Sequence, residues 1–305
     1  MEKYTRLCSE REDIPIFLRP NWLNATVPGQ WDVCLAEKGS NILGAMPYFF
    51  KKKMGFRIIT MPPLTPFLGP IIFYPEGQKP PTRLSFEKEV LGMLIEQLPE
   101  TDKYIQYFHP EVKNALPFHW KEFEQSVRYT NVIKNTSNVD ACWDGLQGNI
   151  RRAIKKAEKE FSLIEMEDPQ LLHQLKLEEG KARDIGLNYD AAYFDTVYQG
   201  LKSENGVKLF GLKDTSGNLV SSVLLAFDKT YVYYLAGSVA PSQRQSGALS
   251  LLLWNGIQFA SEQRLQFNFE GSMKDSIAKY FQSFGGEQIP YFEIKKIDSK
   301  LLKLI

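Results

Sequence analysis

Cysteine, histidine and net charge are all scarce in this chain, and each shortage excludes a class of protein. The 305 residues include three cysteines and three histidines, which lie far apart in the sequence: Cys8, Cys34, Cys142, His109, His119 and His173. An odd number of distant cysteines without metal-ligand spacing argues against a disulfide scaffold and against a zinc site. With 37 basic and 36 acidic side chains the net charge is +1, so no global field attracts nucleic acid or an anionic membrane. Any anion site is therefore expected to be local.

Long hydrophobic runs are also missing. A membrane span needs about 18 apolar residues, and the best candidate, around 42–50, leads straight into Lys51, Lys52 and Lys53. The N-terminus is too charged around Glu10 and Asp13 for the apolar core of a signal peptide. We therefore expect a cytoplasmic protein that is soluble or at most peripheral. Its 43% hydrophobic and 24% charged residues are typical of a folded chain, and this length favours two domains.

The second half has a readable order of elements. Apolar spacing and turn residues predict helices at 169–186 and 190–205, strands at 207–212, 219–227 and 231–236, a helix at 247–263, a strand at 265–269, a helix at 275–284 and a last strand at 289–295. The three consecutive strands form an antiparallel meander, because only short turns separate them. This order predicts an α+β domain with a central, mostly antiparallel sheet.

The first half repeats the plan more loosely. Strands are predicted at 31–37, 42–50, 56–61, 104–108 and 127–133, with one long helix at 85–98. An apolar stripe predicts a further helix over 139–161, where the halves join. We therefore predict two tandem domains, 1–145 and 146–305. Seven of the 17 prolines lie between 61 and 83, and proline has no backbone N–H to offer a phosphate, so the donor site is expected in the second domain.

Three passages carry a family resemblance. They are Trp31–Val33 with Met46–Lys53, Pro62–Pro66 and Leu68–Pro70; Leu146–Lys159; and Gly247–Ala248 with the Leu-rich helix, Phe267–Met273 and Ser283–Gly286. Together they resemble the FemABX-like branch of the GNAT acyltransferase superfamily, whose best-known members transfer amino acids from aminoacyl-tRNA onto peptidoglycan precursors. The resemblance spans most of the chain. The helical coiled-coil arm that some members use to contact tRNA has no counterpart here.

This resemblance implies a fold and a class of reaction. The fold is α+β, with two tandem GNAT-like domains, each a mixed, mostly antiparallel central sheet flanked by helices. The first domain, degenerate, is expected on the acceptor side and the second on the donor side. The implied reaction moves an acyl or aminoacyl group from a thioester or ester to an amine, with a role in cell-envelope or polysaccharide biosynthesis. No bound cofactor is expected. Acyl-CoA or aminoacyl-tRNA is the co-substrate, and the acceptor is a small molecule or a nucleotide-linked compound.

The segment 242–247 stands where the GNAT fold places its pyrophosphate loop. Backbone N–H groups at a helix start form an anion site, so the candidate donor-binding residues are Gln243, Arg244, Ser246 and Gly247. Arg244 and Gly247 fit the usual pattern, but its last glycine or alanine is replaced by Leu249. The alternative is a plain connection between a strand and a helix.

Two residues near the C-terminus are candidates for the chemistry. Glu270 follows the strand that is expected to diverge from 231–236, and a buried carboxylate there can deprotonate an attacking amine. Tyr280 in the next helix can protonate the leaving group. The alternatives are that Glu270 caps the following helix and that Tyr280 belongs to an aromatic core with Phe281 and Phe284.

The remaining candidates bind substrate. Arg151, Arg152, Lys155 and Lys156 form two adjacent basic ridges on one predicted helix, which suits the phosphates of a nucleotide-linked acceptor or of tRNA. The alternative is an ordinary solvated face. Tyr48 and Tyr234 are further candidates for substrate binding. The lysines Lys51–Lys53 at the end of a predicted strand are more typical of residues that prevent aggregation through the strand edge.

Two interpretations therefore remain open. In the first, the protein is an N-acyltransferase that works by direct attack of an amine on the donor. In the second, the tandem fold is a catalytically silent binding or scaffold protein. The state of the cleft at Glu270 distinguishes them, because a cleft filled by aromatic side chains favours the binding protein.

Overall fold

The computed structural model describes residues 1–271 and 273–303, so Ser272 of the quoted motif lies outside it. The helices of this part are α1 (Glu2–Glu10), α2 (Pro20–Thr26), α3 (Pro80–Glu96), α4 (Leu116–Trp120), α5 (Val139–Gly145), α6 (Gly148–Glu160), α7 (Gln170–Arg183), α8 (Ala191–Ser203), α9 (Ala248–Gln263) and α10 (Asp275–Gln282). Its strands are β1 (Trp31–Lys38), β2 (Asn41–Lys53), β3 (Phe56–Thr60), β4 (Ile71–Ile72), β5 (Lys103–Tyr107), β6 (Glu124–Ile133), β7 (Ser162–Glu165), β8 (Val207–Lys213), β9 (Leu219–Phe227), β10 (Tyr231–Val239), β11 (Gln266–Asn268) and β12 (Glu287–Ile297).

The chain divides into two compact units. Unit 1 contains Met1–Arg128 and the segment that begins at Pro290, and unit 2 contains Tyr129–Ile289. These units divide the chain at other points than the predicted domains 1–145 and 146–305. The assignment of an acceptor side and a donor side stays a prediction.

Unit 1 is built on a sheet in the order β1-β2-β3-β5-β12, with β4 added beside β2. Its neighbouring strands are antiparallel except β3 and β5, which are parallel. The helix α3 connects these two strands and begins at Pro80 and Pro81, in the first turn where proline costs no helical hydrogen bond. Its apolar face, including Val90 and Leu94, is buried in the core of this unit.

Unit 2 repeats the plan with the order β6-β11-β10-β9-β8-β7. Here β8, β9 and β10 form the predicted antiparallel meander, and α9 leads to β11, which is parallel to β10. Ten of the 16 residues of α9 are buried, which explains why its sequence is apolar almost all round. The predicted fold class, a mixed and mostly antiparallel sheet flanked by helices, is confirmed.

The last strand of each sheet explains where the units divide. In unit 2, Val132 and Ile133 of β6 pair with Asn268 and Phe267 of β11, so the strand before the joining helix belongs to the second sheet. In unit 1, the segment from Glu293 pairs with β5, so the C-terminal strand completes the first sheet. Periodicity predicts both strands but says nothing about their partners, because pairing is a long-range property.

The joining helix differs from its prediction. The single helix expected over 139–161 is two helices, α5 and α6, separated at Leu146, which has an extended backbone with φ −66° and ψ 139°. The break is fixed by tertiary contacts: the N–H of Gln147 donates to the carbonyl of Ser283 at 2.9 Å. The short strand β7, which follows α6, was not predicted.

Candidate active site

The site begins with one edge of β10. This strand pairs with β9 from Val232 to Val239, but it pairs with β11 only from Tyr231 to Tyr233. From Tyr234 onward its other edge therefore is not paired with β11, and the register with β9 shifts between Tyr234 and Ala236. An unpaired strand edge presents backbone donors and acceptors. The same edge can therefore hold a ligand that runs beside β10.

A cavity of about 540 Å³ opens along this edge in unit 2. Its walls come from α7 and the following loop, from β10, from the start of α9 with the loop before it, and from α10. The wall residues are Lys176, Glu179, Gly180, Arg183, Ile185, Leu187, Tyr234, Gly237, Val239, Arg244, Gly247, Leu249, Ser250, Ser276, Ile277, Tyr280 and Phe281. This volume is in the range of small-molecule and cofactor sites. Most of the wall is apolar, and its polar groups gather at α7 and at the start of α9.

The start of α9 supplies a cationic corner. Gly247 has φ +85°, and a Cβ at this position would collide with the backbone carbonyl of Ala153, so only glycine fits without strain. The Ser246 hydroxyl accepts the N–H of Ala248 at 3.2 Å. The next two N–H groups, of Leu249 and Ser250, have no partner within a helix, and both residues line the cavity beside Arg244. This corner suits a negatively charged group.

The predicted tyrosines of unit 2 both face the cavity. The hydroxyl groups of Tyr280 and Ser250 lie 2.9 Å apart. Burial raises the pKa of Tyr280 to about 12, although the hydrogen bond to Ser250 opposes the shift. Burial, and then the charges of Tyr280, Glu179 and Tyr189, raise the pKa of Tyr234. Both phenols are therefore neutral at pH 7 and can donate a proton or a hydrogen bond.

The wall formed by α7 was not predicted from the sequence. Glu179 accepts a hydrogen bond from the Ser238 hydroxyl at 2.8 Å and forms an ion pair with Arg183, whose Nη1 lies 3.1 Å from Oε1. Lys176 donates to the carbonyl of Gly237 at 3.3 Å. Burial lowers the pKa of Lys176, and the charge of Glu179 opposes this shift. The spacing i, i+3, i+7 places these residues on one face of a helix, but only the packing of α7 on β10 shows that this face lines a cavity.

Glu270 lies just past β11, outside the wall of the cavity. Its backbone is left-handed with φ +58°, and its N–H donates to Asn268 Oδ1 at 2.9 Å. Burial raises the pKa of its carboxyl group to about 8. Within residues 1–271 and 273–303, its buried Oε1 has no hydrogen-bond partner. The group therefore has the pKa of a general base near neutral pH, and its charge is felt by Tyr233 of β10.

The other predicted binding residues lie elsewhere. On α6, Arg151 is 3.9 Å from Asp144, Lys155 lies over the Trp143 ring, and Arg152 is exposed. Gln243 ends a short 3₁₀ turn, and its carbonyl accepts the Ser246 hydroxyl. None of these side chains lines the cavity described above. Their roles stay predictions.

Tyr48 belongs to unit 1. It lines a second and shallower cavity of about 390 Å³ at the ends of β1 and β2, together with Trp31, Phe50 and Lys51. Burial, and then the charges of Cys34 and Asp32, raise the pKa of Tyr48. Tyr48 and Tyr234, which the sequence groups as substrate-binding candidates, are thus in different units.

Metal clusters and membrane spans are both absent from the described part of the chain. This part holds no cluster of three or more His, Cys, Asp or Glu side chains arranged to bind a metal ion. No helix in the same residues combines the length and the apolar character needed to cross a membrane.

Comparison with known proteins now identifies part of the chain. Residues 146–272 match the acetyltransferase (GNAT) domain family. This segment is a GNAT domain. The match includes α7, β10, the loop before α9 and α9 itself, which form most of the cavity wall, whereas α10 lies beyond the matched residues. No curated protein sequence matches the chain significantly.

Solved structures extend the likeness to the whole chain. FemX is 12% identical and superposes with a TM-score of 0.71, covering 100% of this chain and 98% of its own. L-PGS from Bacillus licheniformis is 10% identical, with a TM-score of 0.59 and coverage of 99% and 94%. A tandem GNAT protein from the clavulanic acid biosynthesis pathway is 10% identical, with a TM-score of 0.52 and coverage of 96% and 92%. The predicted resemblance to the GNAT superfamily is confirmed at residues 146–272, and these structures share the fold of the whole chain.

Proposed function

We propose that the protein is an N-acyltransferase that moves an acyl or aminoacyl group from a thioester or ester donor to an amine. The observation that carries this proposal is the cavity beside the open edge of β10, a strand that belongs to the GNAT segment. A planar acyl group fits beside a strand edge that offers unpaired backbone donors. The phosphates of either donor suit the cationic corner at Arg244 and the start of α9.

The proposed chemistry needs no covalent intermediate. The amine attacks the donor carbonyl directly, and both phenols of the cavity wall can donate a proton to the leaving group. Glu270 is our candidate for removing a proton from the amine, because its raised pKa keeps a base available near pH 8. A donor held along β10 and an amine beside it also gain rate from alignment alone.

The donor is proposed to be acyl-CoA before aminoacyl-tRNA, since acyl-CoA is the usual co-substrate of the GNAT family. The acceptor is proposed to be a small or nucleotide-linked amine, and the setting to be cell-envelope or polysaccharide biosynthesis in the cytoplasm. These finer statements rest on the family resemblance and on the likeness to FemX.

A ligand panel tests the proposal. Acetyl-CoA, longer acyl-CoAs and aminoacyl-tRNA are each added to the purified protein, and thermal unfolding and transfer to added amines are measured. A donor at 100 times its dissociation constant adds about 2.7 kcal/mol of stability. The variant Leu249→Trp, which narrows the cavity, is expected to lose this stabilisation, whereas Lys159→Met at an exposed position of α6 is expected to keep it. Absence of both stabilisation and transfer would contradict the proposal.

One observation favours the second candidate, a catalytically silent binding protein. Glu270 does not line the cavity, and the Phe269 ring beside it stacks on Phe281 of the cavity wall with centroids 5.4 Å apart. A protein that is stabilised by a donor in the panel but transfers nothing to any amine would support this candidate.

A further inference from the structure

Lys176 occupies an unusual place for a lysine. It lies on α7, which packs on β10, and its ammonium donates to the carbonyl of Gly237. Gly237 belongs to the stretch of β10 that is not paired with β11. Both residues line the 540 Å³ cavity. The cation therefore sits at the strand edge where the proposed donor would lie.

The charge of Lys176 is only loosely compensated. An ammonium group has three N–H donors, and the bond to Gly237 is the single one that it makes to residues 1–271 and 273–303. Glu179 lies one turn further along α7, but its carboxylate is already held by Ser238 and Arg183. Two donors of a half-buried cation thus remain for an oxygen atom of a ligand.

The neighbours of Lys176 do not supply that oxygen atom. The titratable or charged side chains that share the cavity wall with it are Glu179 and Arg183 on α7, Tyr234 on β10, Arg244 before α9 and Tyr280 on α10. Glu179 is the one carboxylate among them. An acyl carbonyl placed along β10 would meet both the edge of the strand and the ammonium group.

We propose that Lys176 is a catalytic residue of the acyl transfer: its ammonium group donates a hydrogen bond to the carbonyl oxygen of the donor and stabilises the oxyanion formed during attack. This inference rests on the proposed function. As the amine nitrogen bonds to the carbonyl carbon, the carbonyl π electrons move onto the oxygen, which Lys176 holds. The C–S or C–O bond then breaks as the carbonyl re-forms. The leaving group takes up a proton, the amine loses one, and Lys176 keeps its own throughout.

Steady-state kinetics with acetyl-CoA as donor and glycinamide as amine test this role. Loss of one preorganised oxyanion donor costs about 10²–10³-fold in kcat, so Lys176→Met is expected to lower kcat by this factor and to leave KM for acetyl-CoA nearly unchanged. Lys176→Arg is expected to recover part of the rate. The control Lys181→Met, at an exposed position of the same helix, is expected to behave as wild type.

The pH profile separates this role from a structural one. The wild-type kcat is expected to fall at high pH as Lys176 loses its proton, and to do so below the pH at which exposed lysines titrate. Arginine does not deprotonate in proteins, so Lys176→Arg should lose this descending limb. Titration of isotope-labelled lysine amines by NMR, with Lys176→Arg for assignment, measures the same ionisation without any substrate.

The outcomes are distinct. Unchanged kcat in Lys176→Met, a rise in KM alone, or a Lys176→Arg pH profile that keeps the descending limb would each overturn the role of Lys176 while the proposed function stands. A wild-type protein that transfers from no donor of the panel overturns the proposed function, and this inference with it.

Discussion

The two units make the same crossover and use it differently. In each, the third strand of a meander is followed by a helix and a parallel strand, β3 to β5 in unit 1 and β10 to β11 in unit 2. In unit 2 the part of β10 that is not paired with β11 borders the 540 Å³ cavity. In unit 1 the proline-rich segment 61–83 lies beside β5 instead. The N–H of Leu68 donates to the carbonyl of Tyr107 in β5 at 2.7 Å, and the N–H of Tyr107 donates to Met61 Sδ at 3.4 Å.

Side chains complete the filling in unit 1. Phe108 is fully buried, and its ring lies so close to Gly69 that a Cβ there would collide with it. Phe67 packs on His109 with centroids 4.4 Å apart. One topology thus gives a packed crossover when a loop returns along the strand edge, and a ligand-sized cavity when no segment does.

The largest expected effect is on kcat and concerns Glu270, which follows the β10–β11 crossover of unit 2. If Glu270 removes the amine proton, Glu270→Gln should lower kcat by about 10²–10⁴-fold and leave donor binding intact. The wild-type rate should rise with pH through about 8, since the carboxylate is the active form. Kinetics across pH 6–9 measure both. Full activity in the variant would leave alignment of the substrates as the source of rate.

Loosening the packed crossover of unit 1 should lower the free energy of unfolding and leave the rate of transfer unchanged. Phe108→Ala removes a fully buried ring that also packs edge-on against Phe118, with ring centroids 5.0 Å apart. Such truncations lower the free energy of unfolding by about 3–5 kcal/mol. Urea unfolding measures the loss. If donor binding to unit 2 weakened as much as stability fell, the two crossovers would not be independent.

Substitution of two glycines with the same backbone conformation compares a position packed against a neighbouring helix with a position in an open turn. Gly247 and Gly217 both have φ +85°, but an added Cβ would have neighbours within 4 Å at Gly247 and none at Gly217. Alanine at Gly217 should cost about 1–2 kcal/mol of strain. At Gly247 the collision with Ala153 should add about 1–3 kcal/mol. If both variants lost the same unfolding free energy, α6 and the loop before α9 would separate enough to accept the added Cβ at Gly247 without further cost.

Two arginines of unit 2 test which basic group meets the donor. Arg244 lines the cavity, whereas Arg151 lies on α6 beside the exposed Asp144. Arg244→Met should weaken donor binding by about 1.5–3 kcal/mol, as for a hydrogen bond to a charged group. Calorimetric titration with acetyl-CoA should show a smaller change for Arg151→Met. The reverse order would favour the basic ridges predicted from the sequence.

Buried titratable groups in the two units should make their stabilities respond to pH in opposite directions. Burial lowers the pKa of His109 to about 3, so the unfolded chain binds the extra proton and the free energy of unfolding falls as pH decreases below about 6.5. Glu270 has a raised pKa, so the folded chain binds the extra proton, and stability falls as pH increases from about 4.5 to 8. Denaturation of His109→Gln and Glu270→Gln across pH 4–9 should remove one slope each.

The sequence by itself determined the local elements and the family. Apolar periodicity and turn residues predict the meander, α9 and its glycine start, because these signals act within a few residues. The prolines between 61 and 83 mark a segment with few backbone N–H donors. The quoted motifs identify the GNAT fold, which the match at residues 146–272 confirms.

The tertiary structure decided which elements meet. It pairs β6 with β11 and the C-terminal strand with β5, contacts between residues more than 130 positions and about 190 positions apart that no local pattern encodes. It also turns one face of α7 into the wall that holds Lys176 and leaves Glu270 outside that wall. Spacing fixes the side of a helix on which a residue lies, whereas the element that packs against that side depends on the whole core.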